Sequence, residues 1–135
     1  MKSRDTLIRL KRFQVEDKRR RLAQIERMIA EFSRMAGDLD REIATEEKRA
    51  GITDPTHFAY PTYARAALAR RDNLKQSAGE LNGQLEAAKA RLDEALEELR
   101  KAESLDGREK AAERAADGMR VDLDAMRGGM ASASI

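Results

Sequence analysis

Ile8, Val15, Leu22, Ile29, Ala36 and Ile43 stand seven residues apart without a break, and Ile25, Phe32 and Leu39 follow three residues behind. Apolar side chains at these two spacings occupy the a and d positions of a heptad. A strict seven-residue repeat makes two helices wind around each other. Such a chain buries a stripe rather than a centre. With 4% aromatic and 39% charged residues, two prolines and no tryptophan, little remains to fill a globular core. The expected fold class is all-α: an extended antiparallel two-helix coiled coil, whose function lies in contact with partners rather than chemistry in a pocket.

Helix one is expected over about residues 4–50. Ser3 can serve as N-cap, Lys48 and Arg49 suit the negative end of the helix dipole, and Gly51 can take the left-handed conformation that ends a helix. At 1.5 Å per residue this helix is about 70 Å long. Residues 51–61 form the loop. Asp54-Pro55 suits a single helical turn, and Pro61 can open the second helix. Helix two is expected over about 61–127, with Leu74, Ala78, Leu81, Leu85, Ala88, Leu92, Ala95, Leu99 and Ala102 as its seam. The steps alternate four and three, as a coiled coil requires. Residues 1–127 then make one hairpin domain, and the small, polar residues 128–135 are expected to be a flexible, disordered tail.

The seam of helix two slips phase at Ser104-Leu105-Asp106-Gly107. Beyond it, Ala112, Ala116, Met119, Leu123 and Met126 make a new stripe. Folding the chain about a loop centre near residue 56 makes antiparallel partners sum to about 112, so Arg4 falls opposite about Arg108. The place where helix one runs out is the place where the phase slips. Beyond Gly107, helix two is expected to have no partner within the chain.

Charge is uneven. Residues 1–21 carry nine basic side chains (Lys2, Arg4, Arg9, Lys11, Arg12, Lys18, Arg19, Arg20, Arg21) against three acidic ones (Asp5, Glu16, Asp17), a net of +6. The chain as a whole is +2, which leaves −4 for the rest. The basic end should seek an acidic surface. Leu10 and Phe13 fall off the seam here and widen the apolar stripe. Lys11 and Lys18 fall on it and weaken the pairing.

Catalytic machinery is not visible. The absence of cysteine excludes disulfides and thiolate metal sites, and a single histidine makes no His pair. No phosphate-binding glycine loop of the P-loop type occurs. The carboxylates are interleaved with Lys and Arg, as on a solvated helix face. No catalytic, cofactor-binding or metal site is expected, and the protein is not expected to be an enzyme. Charges at Arg4, Asp5 and Arg9 interrupt any apolar leader, and no stretch approaches the roughly 18 apolar residues that span a bilayer. A cytoplasmic protein is expected. The aromatic side chains Phe58, Tyr60 and Tyr63 at the loop either cap the end of the hairpin or form a contact point.

The opening MKSRDTLIRLKRFQVEDKRRRLAQIE, leading into a long coiled coil, resembles the FliJ family, small flagellar type III export proteins that act on the export ATPase. The segment AGITDPTHFAYPTYARAALARRDNL resembles a branch of that family in flagellated bacteria, and the resemblance covers about residues 1–105. It implies an antiparallel two-helix coiled coil, similar to the rod of the rotary ATP synthase gamma subunit. The paired ends would enter the pore of a hexameric export ATPase and promote its assembly and activity. Further implied partners are the export gate protein and the export chaperones. The implied location is the cytoplasmic face of the inner membrane, held peripherally through the gate, in the service of flagellum biogenesis and motility. On this reading Leu7, Ile8, Leu10, Phe13, Arg12, Arg19, Arg20 and Arg21 meet the ATPase, and Phe58, Tyr60 and Tyr63 form a second contact at the loop tip. Two other readings of the sequence are a nucleic-acid-binding protein and a self-associating scaffold. Nucleic acid is not the expected partner, because no aromatic platform accompanies the local positive charge.

Overall fold

The structure, a computed structural model, describes the backbone of residues 2–133 and the side chains of residues 3–128. Helix α1 spans Lys2–Ala50 and helix α2 spans Thr62–Ala133. Among the described residues there is no strand, and the fold class is all-α.

The helix ends show which local signals govern. α1 begins at Lys2, so Ser3 lies inside the first turn and is not the N-cap. Asp5 in that turn complements the positive end of the dipole, and Lys48 and Arg49 complement the other end. Gly51 ends the helix with φ 67°, and its N–H donates to the Glu47 carbonyl at 2.9 Å. This is the left-handed cap that only glycine adopts without strain. At the other end, α2 continues to Ala133, past the expected end at Arg127. Gly128 and Gly129 lower helix propensity but do not forbid the conformation, and no proline follows to stop it. Residues 128–133, expected in the tail, therefore have helical backbone. Ser134 and Ile135 lie outside the described residues.

The chain forms two units, Glu16–Asp93 and Met1–Val15 with Glu94–Ile135. The first is a helical hairpin closed by the loop. Ile25, Ala36 and Ile43 of α1 and Leu81 and Ala88 of α2 are buried, and Leu22, Ile29, Phe32, Leu39, Leu74, Ala78, Leu85 and Leu92 are half-buried. Every one of these positions belongs to the expected seam. The heptad extends further back than expected. Tyr60, Ala64 and Ala67 are buried at the loop end, and Arg71 is half-buried at the next seam position. Arg71 reaches Asp40 across the pair at 3.1 Å and Asp72 at 2.9 Å. Its pKa is raised by hydrogen bonds to Asp72 and Asp40. A polar layer of this kind fixes register, because sliding the helices would strand the charge.

The loop contains two successive turns rather than a helical turn. Asp54 Oδ1 accepts from the Thr56 N–H at 2.9 Å and from the Thr56 hydroxyl at 2.8 Å. The His57 N–H donates to the Asp54 carbonyl at 3.1 Å, and the Tyr60 N–H to the His57 carbonyl at 3.0 Å. The Arg65 guanidinium stands 5.8 Å from the Tyr60 ring centroid and donates to the carbonyls of Pro55 and His57. These bonds fix the loop onto the start of α2.

In the other unit, Ile8, Val15 and Ala95 are buried, with Leu99 and Ala102 half-buried. The seam then turns polar. Asp106, seven residues after Leu99, is buried, and Arg4 faces it with Nε 3.6 Å from Asp106 Oδ1. The pair sums to 110, and Lys11 with Glu98, 2.9 Å apart, sums to 109. Both lie close to the expected antiparallel sum.

Candidate partner-binding surfaces

Four turns of α1 and the facing part of α2 make the first surface. The register places Ile8 and Val15 inward, which turns Leu7, Leu10 and Phe13 away from the seam. All three are exposed, Phe13 at 62%. Ile8 is 8% exposed and cannot be a partner contact as expected. Its side chain is spent on the seam, which is what its place in the heptad dictates. Arg12 is exposed and approaches Glu103 at 3.7 Å.

The charges of this unit are more engaged than composition suggests. Arg4 is held by three carboxylates, with Nη1 2.8 Å from Glu109, Nη2 2.9 Å from Glu113, and Nε near Asp106. Burial alone would lower its pKa, but Glu113, Glu109 and Asp106 together raise it. Lys110 lies 3.0 Å from Asp106, and their hydrogen bond, with the further field of Arg4, holds the Asp106 carboxyl below its usual range. Positions 106, 109 and 113 carry the old seam phase forward as an acidic ladder. Arg4 neutralises it in part, so its own charge is used up within the unit.

After Asp106 every described side chain of residues 107–128 is exposed, Glu109 and Glu113 among them. Met119, Val121, Leu123 and Met126 are between 54% and 67% exposed, and Leu105 is 52% exposed. The expected lack of a partner within the chain beyond Gly107 does not hold: Glu109 and Glu113 both reach Arg4 of α1, so the pairing extends to Glu113.

The second surface lies on the hairpin unit. An open groove there is lined by Lys18, Arg20, Arg21, Arg27 and Arg91, with Asp17 the one acidic residue among the lining side chains. Arg20 approaches Asp17 at 3.9 Å, Arg19 approaches Glu16 at 3.7 Å, and Arg21 donates to Gln24 at 3.0 Å. These are exposed pairs one helical turn apart and compensate little of the charge. The groove is a cationic surface, and Arg27 and Arg91 belong to it although sequence reading did not select them. Position 91 stands far from the basic segment in the chain, and only the antiparallel register brings it there.

No family model, no curated protein and no solved structure matches the chain.

The loop tip divides the three aromatic residues expected there. Phe58 is 94% exposed and stacks on His57 with ring centroids 4.7 Å apart. His57 Nδ1 accepts from the Ala59 N–H at 3.0 Å, which leaves the proton of the neutral ring on Nε2. Tyr63 is exposed, and its hydroxyl donates to Glu42 at 2.7 Å. Tyr60 is 3% exposed and is not available to a partner, contrary to expectation. It fills the end of the seam as the last heptad residue before α2. Among the described residues no cluster of three His, Asp or Glu is placed to hold a metal ion, and no helix is long and apolar enough to cross a membrane.

Proposed function

We propose that the protein is a partner-binding component of a flagellar type III export apparatus, which docks on the hexameric export ATPase and promotes its assembly and activity. The observation that carries this reading is the exposed set Leu7, Leu10 and Phe13 on a basic helix whose own seam is already filled. Three large apolar side chains within two turns, with Arg9 beside them on the helix face, form a small surface with an apolar centre and a charged edge. Interfaces take their energy from centres of that kind. The cationic groove of Lys18, Arg20, Arg21, Arg27 and Arg91 offers a second contact, for an acidic face of the same ATPase. Phe58 at the loop tip supplies a third, suited to the export gate protein or an export chaperone. Work at the cytoplasmic face of the inner membrane, held peripherally through the gate, follows from those partners.

Two variants test the assignment by co-elution with the export ATPase. Replacing Leu7, Leu10 and Phe13 together by Ser should abolish co-elution and leave helix content unchanged, because these side chains lie outside the seam. Reversing Arg19, Arg20 and Arg21 to Glu should weaken binding and alter its salt dependence. Undiminished co-elution of both variants would remove the proposal.

A further inference from the structure

Leu105, Ala112, Met119 and Met126 stand seven apart, and Ala116 and Leu123 stand four residues behind Ala112 and Met119. This is a second heptad seam on α2, one residue out of step with Asp106 and Glu113 of the first. One residue is about 100° of rotation. The row from Leu105 to Met126 therefore lies beside the face that pairs with α1, and Ala116 and Leu123 continue the row of Ala102 and Glu109. The side chains of the second seam are exposed throughout among the described residues. Leu7 precedes buried Ile8 by one residue, just as Leu105 precedes buried Asp106. In an antiparallel pair these two positions flank the seam on the same side. The apolar face therefore starts within the unit and continues along α2.

We propose that this face binds the same face of a second copy of the chain, antiparallel, with facing residues whose numbers sum to 235. In that register Ala112 meets Leu123 and Ala116 meets Met119, so each of these small side chains is opposed by a large one, and Glu109, at the end of the seam, meets Met126. The charges that flank the seam also match. Glu113 of one copy falls beside Arg120 of the other, and the symmetry makes this pair twice. Arg127 of the second copy comes to the level of Asp106, at the edge of the carboxylate ladder that Arg4 only partly neutralises. Residues 108–127 carry five basic side chains (Arg108, Lys110, Arg114, Arg120, Arg127) and five acidic ones (Glu109, Glu113, Asp117, Asp122, Asp124), so no net repulsion opposes the pairing. A parallel pair would instead stack Ala on Ala and Glu109 on its own copy. Two such helix faces bury about 1,000 Å² in all, at the low end of specific interfaces. Interfaces of that size belong to the weak, transient class, so the pairing is reversible. It does not depend on the export reading.

Sedimentation equilibrium of the full chain, from micromolar to several hundred micromolar, tests this. The parent chain should pass from monomer to dimer across that range. Arg120→Glu should raise the dissociation constant about tenfold, since it sets two pairs of carboxylates against each other. Glu113→Arg should do the same with two pairs of guanidinium groups. An equimolar mixture of the two variants should dimerise again, because both contacts in the mixed pair are then of opposite charge. Met119→Glu should leave a monomer of unchanged helix content. A parent chain that stays monomeric, an Arg120→Glu variant that dimerises as the parent does, or a mixture that does not recover would each overturn the proposal.

Discussion

Ile25→Ala probes the seam where it is tightest. Ile25 is 1% exposed and is the largest side chain buried so fully. The change removes three carbon groups, worth about 2.4 kcal/mol in transfer free energy at about 0.8 kcal/mol each. The space left between two helices adds a smaller amount, for a total of about 3 kcal/mol. For a chain of 135 residues that lowers the melting temperature by about 10 °C. Ile29, four residues on, is half-buried, and Ile29→Ala should cost about half as much. Thermal unfolding followed by far-UV circular dichroism compares the two. A drop of less than about 3 °C for Ile25→Ala, or a larger drop for Ile29→Ala, would refute the burial order on which the seam rests.

Gly51→Ala places a side chain at φ 67°, and although the space around it is open it should cost about 1 kcal/mol, seen as an earlier melt. Tyr60→Phe removes a buried hydroxyl that has no hydrogen-bond partner among the described residues, so it should leave stability unchanged or raise it. A clear destabilisation would show that the hydroxyl is satisfied. The Asp106 carboxyl is held below its ordinary pKa by its hydrogen bond to Lys110, and that of Glu98 by its hydrogen bond to Lys11. A depressed folded-state pKa contributes stability that is present above the unfolded value and is lost as pH falls through the folded one. Melting temperature should therefore hold from pH 7 to about 5 and decline below about 4. Asp106→Asn should make that acid decline shallower, and an unaltered decline would remove Asp106 from the account.

The seam was legible because heptad spacing and burial are the same fact seen twice: all nine seam residues named in α1, from Ile8 to Ile43, are buried or half-buried. The slip at 104–107 was legible from register arithmetic, and the structure adds that the old phase continues as Asp106, Glu109 and Glu113. Binary patterning discards such positions because they are charged, although Arg4 makes them a seam. Arg71 escaped for the same reason. The loop position of Tyr60 suggests a tip residue, whereas counting the heptad back through Ala67 and Ala64 places it inward. The heptad places Ile8 on the seam and the resemblance places it against a partner, and one side chain cannot serve both. Ser3 and Arg127 show the weakness of single-residue end signals when neighbouring residues also tolerate helix. The cationic groove was half visible. Its α1 members form a run, but Arg91 joins them only across the pair.

The most direct test of the central claim is ATP hydrolysis by the export ATPase, recorded across ATPase concentration with and without the full chain. The account predicts stimulation that is greatest where the ATPase is too dilute to form rings by itself, and loss of that stimulation in the Leu7, Leu10 and Phe13 variant. Equal hydrolysis with and without the chain at every concentration would contradict it.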